Sequence, residues 1–430
     1  MNTTVTVLIS LGIIIAVSRF SRNLIYALLP ATFFLALSNG FTLAAMVEIS
    51  WRRLSSLDNI FLMTVIFLVI YLSQQMKNTG VMSDLVDTMR KTVSKKDAMA
   101  ILPALIGILP MPGGALFSAP LVDDCDKEGS IEPLQKTKIN YWFRHIWEYW
   151  WPLYPGVLLA VDITRIETWR FVFLMFPMTV ISVITGRIFL LSGVSEAENT
   201  PGISLTSAKF AEIIRLMTPI IVIIGVSTTI RILSDDAVRI SKFLPIAAGI
   251  LAAIFYLQAC RPMNSSEWGK IIFSGRILKL FILVAVIRIF GAFVQANLPD
   301  GTPLAGHMRS ELTGWNIPVI CVVMLLPFIT GMTTGIAIGF VGASFPIITA
   351  MLGTSPSPAD LYGYVLLAYG CGYAGMLLSP VHVCLVVTNE HFRTNLIGSL
   401  KSLVIPAGVL LAGLAVYYIL LQAAFMFIPG

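Results

Sequence analysis

Two stretches of this sequence combine membrane-grade apolar residues with a backbone that cannot stay helical. The first is Pro110-Met-Pro-Gly-Gly114, with Ser118 and Pro120 just beyond it. It closes an apolar run, Ala98–Leu109, that is too short to cross a bilayer. Pro112, Gly113 and Gly114 oppose a regular helix and leave bare N–H groups open to close approach, which suits an anion. Ser118 adds a hydroxyl donor. The second stretch, Thr330-Gly331-Met-Thr333-Thr334-Gly335, offers three hydroxyls and two glycines. Broken backbone at membrane depth must be buried in protein or line a polar cavity. The two stretches therefore read as tips of re-entrant hairpins, at about 98–122 and 317–352. Half-helix N-termini converging there would bring partial positive charge to a bound group. Gly331, Gly335 and Gly339 sit four apart, however, and ordinary helix packing uses the same small-residue spacing.

A second pair of breaks lies at Pro152-Leu-Tyr154-Pro155 and at Ser379-Pro380-Val-His382. Unwound carbonyls and hydroxyls at such places complete anion sites or hold coupling cations. Proline also kinks membrane helices without any function. His382 is an ionisable group inside an apolar span and a functional candidate by default; the plainer alternative is a neutral imidazole bonded to a backbone carbonyl. His145 and Glu148 lie three apart in an aromatic stretch, Tyr141–Pro152, read here as a helix. Its Trp and Tyr residues read as a membrane-interface belt, so an interfacial pair is expected ahead of the alternative, a part in proton relay. Glu390 and His391 read as cytoplasmic flank. The five cysteines show no paired metal spacing, so any metal site is left open.

The elements that must position these residues follow from composition. The 430 residues are 57% hydrophobic and 12% charged, about half the charge of a soluble protein. Mean hydropathy is +0.84. The apolar runs are long rather than alternating, which excludes an outer-membrane barrel. The net charge of +6 is no nucleic-acid signal, because Lys and Arg cluster in short segments between apolar runs, as cytoplasmic loops do. The first apolar run lacks a preceding basic region and reads as an uncleaved first helix, with both termini outside the cell membrane.

The fold class expected is an all-α polytopic membrane protein with about ten transmembrane helices. Each half reads as three spans, a hairpin and two spans: 1–192, then a polar linker at 193–207, then 208–430. Five spans is an odd number, so the halves are inserted with opposite orientation, as in secondary transporters. Met89-Arg90 pairs with Met308-Arg309, Met111-x-x-Gly114 with Met332-x-x-Gly335, Ser118-x-Pro120 with Ser344-x-Pro346, and Pro155 with Pro380, all at nearly constant separation. Arg52 and Arg53 run against this arrangement, falling on the outside.

The run Pro110–Pro120, the Trp-Pro-Leu-Tyr-Pro155 break and Ser379–His391 together resemble the DUF401 membrane proteins of bacteria and archaea, over nearly the whole chain. That resemblance implies the ion transporter superfamily, with its citrate, gluconate, C4-dicarboxylate and arsenite carriers. It also implies a duplicated scaffold-and-transport architecture, often a homodimer working by an elevator motion. The Ser-Asn-Thr triplets of its sodium-coupled dicarboxylate carriers are missing; Pro-Gly-Gly and Thr-Thr-Gly stand at the two tips.

The function expected is secondary active transport of a small organic anion, a carboxylate by preference, coupled to Na⁺ or H⁺. No cofactor is expected beyond that ion, and the partners are the anion, the bilayer and a second copy of the chain. A passive anion channel is the alternative, though no ring of charge is visible. An intramembrane enzyme ranks third, since neither His-Glu-x-x-His nor Gly-x-Ser-x-Gly occurs.

Overall fold

The computed structural model describes residues 2–21, 24–110, 114–126, 129–194, 206–272, 275–353 and 355–427. Within them the chain is helical, with one isolated bridge between Asn297 and Pro303. The first ten helices are α1 (Thr3–Ser21), α2 (Leu24–Ser38), α3 (Leu43–Ser55), α4 (Leu57–Asn78), α5 (Val81–Arg90), α6 (Lys95–Gly107), α7 (Ala115–Asp124), α8 (Pro133–Arg144), α9 (Pro155–Thr164) and α10 (Thr168–Phe189). Eleven more follow: α11 (Ser207–Leu233), α12 (Asp235–Ile240), α13 (Leu244–Cys260), α14 (Ser265–Ile272), α15 (Gly275–Val294), α16 (Leu304–Gly314), α17 (Val319–Thr334), α18 (Ala337–Leu352), α19 (Pro358–Leu377), α20 (Val383–Phe392) and α21 (Leu396–Phe427). The expected linker at 193–207 lies mostly outside the described residues.

Five stretches are long and apolar enough to cross a bilayer: α4, α10, α11, α14 with α15, and α21. A sixth arises if α16 and α17, which meet at 111°, form one span. The chain is a multi-pass membrane protein. A count near ten is reached only if the shorter apolar helices α1, α2, α9, α13 and α18 cross as well. Helix α2 ends just before Gly40, whose φ of +81° breaks the apolar run ahead of the amphipathic α3.

Four arms carry the breaks. Helices α6 and α7 pack against each other, as do α17 and α18. At 1.5 Å per residue even the 16-residue arms α17 and α18 reach only about 24 Å, short of a hydrocarbon core of about 30 Å. Each arm contains a proline: Pro103, Pro120, Pro327 and Pro346. Helix α7 packs on α20, while α18 packs on α9, so each of these helix pairs meets a short helix from the other half of the sequence. Glycines set these approaches. A Cβ on Gly107 would stand 2.0 Å from the Arg144 carbonyl oxygen, and one on Gly331 would stand 2.2 Å from that of Gly372. Helices α6 and α8, and likewise α17 and α19, therefore touch backbone to backbone.

The arginine pair that ran against the expected orientation divides. Arg52 is exposed and bonds Glu48 at 2.6 Å, whereas Arg53 turns inward to 3.9 Å from Asp162. Asp162 also pairs with Arg288 and, at 3.6 Å, with Lys242. Lys242 donates to the carbonyls of Val161 and Asp162, so three cations cap the C-terminal end of α9, where the helix dipole favours them. Arg53 is thus a structural charge and not a loop charge.

Candidate functional site

Helix α8 ends at Arg144, not at Pro152 as the sequence reading expected. From His145 onward the backbone closes short turns: His145 N–H bonds to Trp142, Glu148 to His145, Trp151 to Trp147 and Tyr154 to Trp151. Pro155 then starts α9. The unwound carbonyls are bonded by hydroxyls from neighbouring helices. Tyr373 donates to the His145 carbonyl at 2.8 Å, Thr179 to Ile146 at 2.6 Å and Tyr369 to Glu148 at 2.8 Å. The indoles run the other way, Trp142 donating to the Ser182 carbonyl of α10 and Trp147 to the Ala104 carbonyl of α6.

The aromatic run is therefore not an interface belt. Tyr141, Trp142 and Tyr149 are buried, and their neighbours supply the donors and packing that an unwound segment needs away from water. His145 and Glu148 are not an interfacial helical pair either: both are buried, with Nε2 and Oε1 3.8 Å apart.

A cavity of about 270 Å³ opens between the two breaks. Arg144, His145, Glu148, Tyr154, His382 and Cys384 supply its polar groups. Three helices begin on it: α9 with Pro155 and Gly156, α18 with Ala337 and Ile338, and α20 with Val383 and Cys384. Helix α7 starts just behind, because a Cβ on its N-cap Gly114 would lie 2.1 Å from the Arg144 Nη2. Two of these ends touch, a Cβ on Gly156 falling 2.7 Å from that of Ala337. Three helix N-termini and one guanidinium thus line a single space, with a fourth N-terminus against the guanidinium from behind, an anion-attracting arrangement. Ile70 on α4 and Leu280 on α15 form an apolar wall.

Within the site, Arg144 Nη1 donates to Cys384 Sγ and lies 3.3 Å from His145 Nε2. His145 Nε2 is also 3.0 Å from His382 Nε2, and His145 Nδ1 is 2.6 Å from the Tyr141 carbonyl. A metal reading of His145, His382 and Cys384, whose ligand atoms fall within 4.8 Å of one another, meets the guanidinium against two of those three atoms. That charge opposes a bound cation.

The residues singled out by sequence divide clearly. Tyr154, Pro155, Gly335 and His382 line the cavity. Gly335 has φ +64° and closes α17; a Cβ there would meet the His382 nitrogen and Ser379 Oγ at 2.9 Å. Ser379 stands behind it, donating to the Met332 carbonyl at 2.6 Å and tying the second tip to the second break. The hydroxyls of Thr330, Thr333 and Thr334 bond carbonyls of their own helix and lie off the cavity. Gly331 is a packing glycine. Ser118 is fully buried off the cavity wall, and Pro152 and Pro380 also lie off it. Pro112 and Gly113 lie outside the described residues.

Sequence reasoning missed Arg144 and Cys384 and placed His145 and Glu148 elsewhere. A signal was present: Arg144, His145 and Glu148 stand just ahead of the apolar run 153–161, and ionisable residues at membrane depth are functional by default.

The family model described as "Protein of unknown function (DUF401)" matches residues 4–421. The chain belongs to the DUF401 family. No curated protein matches it. Among solved structures it is similar to the YdaH transporter of Alcanivorax borkumensis, whose crystal structure was described as revealing an unusual topology. The TM-score is 0.55 at 13% identity, over 85% of each chain. At that identity the likeness is one of fold.

Proposed function

We propose that this DUF401 protein is a secondary active transporter of a small organic anion. The observation that carries the reading is the convergence of three helix N-termini and the buried Arg144 on one cavity at two helix breaks. Arg144, buried and lining the cavity together with Glu148, offers a carboxylate a charged hydrogen-bond donor. The size of the cavity, just below the usual range for drug-sized ligands, favours a small solute. A carboxylate head on Arg144 leaves the rest of the molecule against Ile70 and Leu280, so a carboxylate with an apolar body fits better than phosphate or sulfate.

Short arms α6, α7, α17 and α18 act as re-entrant hairpins, and the two halves of the chain act as inverted repeats. Support comes from the reciprocal packing of α7 on α20 and α18 on α9. The cavity lies between the hairpins with their broken helices on one side and α4 and α15 on the other, where relative motion would open it to either face. Coupling is to Na⁺ or H⁺.

Uptake of radiolabelled acetate, butyrate, succinate, citrate and phosphate into proteoliposomes, with Na⁺, pH or no gradient imposed, tests the reading. Gradient-driven accumulation of at least one carboxylate, lost in Arg144→Gln, is the expected result. No accumulation of any of them under either gradient would remove it.

A further inference from the structure

The hydrogen-bond pattern around the two buried histidines fixes where a proton can go. A backbone carbonyl only accepts, so the Tyr141 carbonyl at 2.6 Å requires the proton of His145 on Nδ1. His145 Nε2 is then a bare acceptor, facing Arg144 Nη1 and His382 Nε2. The 3.0 Å contact between the rings in turn requires the proton of His382 on Nε2. His382 Nδ1 is left bare and buried, with no hydrogen-bond partner among the described residues. His382 lines the cavity, so a proton on Nδ1 with an anion in the cavity would give this bare nitrogen the bond it lacks.

We infer that His382 is the proton-coupling group of the site, charged at Nδ1 when an anion occupies the cavity and neutral when it leaves. The inference rests on the anion-site reading above. Its physical basis is charge. An imidazolium in this position would stand one ring away from the Arg144 guanidinium, across His145, with the Glu148 carboxyl on the same cavity, Tyr141, Tyr154 and Tyr373 nearby and the Cys384 thiol bonded to the arginine. Two buried cations this close repel; an anion in the cavity offsets that repulsion. Proton and anion therefore each strengthen the binding of the other, by the same factor. The proton enters from bulk water onto the Nδ1 lone pair and leaves by the same route, with no bond to carbon made or broken.

Binding of acetate, butyrate, succinate and citrate to purified protein, measured by calorimetry across about pH 6 to 8, provides the test. One proton taken up per anion weakens the apparent Kd about tenfold for each pH unit. That slope is expected in the wild type, is lost in His382→Gln, and is kept in Glu148→Gln whatever its affinity. In parallel, ¹⁵N spectra of histidine-labelled protein, which has only four histidines, should show one ring become doubly protonated when anion is added. The wild-type spectrum decides the matter even if the His382 variant fails to fold. Anion binding independent of pH, a slope retained in His382→Gln, or a slope lost in Glu148→Gln alone would overturn the inference while leaving the anion site intact. If none of the four anions binds at any pH, the anion reading fails and this inference with it.

Discussion

Gly114 stands against the guanidinium of Arg144, so closely that a Cβ there would fall 2.1 Å from Nη2. The glycine at the start of α7 is what lets a buried cation lie under a helix N-terminus. Gly114→Ala should shift the guanidinium while leaving the helices in place, since the obstructed group is a side-chain end. Gly114→Val should do so more severely. Carboxylate uptake is expected to fall at least tenfold for both, with the melting temperature of the detergent-solubilised protein changed by no more than a few degrees.

Gly331→Ala provides the contrast. Its Cβ would meet the Gly372 carbonyl oxygen at 2.2 Å, which is backbone and cannot swing away. Helices α17 and α19 must separate, at a cost of about 1–3 kcal/mol. A fall in thermal stability without a selective loss of anion affinity is expected, measured by melting and by binding on the surviving folded fraction.

Tyr369→Phe removes the donor to the Glu148 carbonyl and keeps the ring. An unsatisfied buried carbonyl costs about 1–3 kcal/mol. Tyr373→Phe costs less, because the His145 carbonyl keeps its bond from the Glu148 N–H. Proteolysis at the 145–154 break should speed up in both variants, more in Tyr369→Phe. Unchanged cleavage in both would mean that the break does not depend on these donors.

Asp126, in the loop after α7, gives a pH-dependent stability. Burial pushes its carboxyl up, but the Ile131 N–H, Lys136, Ser130 and Lys95 outweigh that and hold it well below the usual carboxylate range. A depressed folded value stabilises at pH above the unfolded carboxylate pKa of about 3.9, and the contribution is lost as pH falls below it. Asp126→Asn should therefore destabilise at pH 7 and lose its difference from the wild type as the solution is acidified toward pH 2. Melting curves of both proteins across that range check the sign.

The sequence was legible where backbone chemistry is punctuated. Pro155 and Gly335 mark breaks that side-chain context cannot hide, and Gly335 does take the left-handed conformation. Charge placement was far less legible. Arg144, His145 and Glu148 lie among Trp and Tyr residues, and the same composition describes an interface belt or the packing around an unwound core segment. Only tertiary partners such as Tyr369 and Tyr373, more than two hundred residues away in the chain, separate the two. The threonines misled for a related reason: a hydroxyl at a break and a hydroxyl bonded back to the carbonyl four residues earlier have identical sequences. Arg53 looked like a loop charge because nothing near it in sequence reveals Asp162 and Arg288.

The most direct test of the account is the position of a bound anion. A structure of the protein with a bromine-labelled carboxylate, located by its anomalous signal, should show the carboxylate against the Arg144 guanidinium, between Gly156, Ala337 and Val383. A carboxylate bound elsewhere, for example among Arg170, Arg231 and Arg239 near Glu167, with the Arg144 cavity empty, would contradict it.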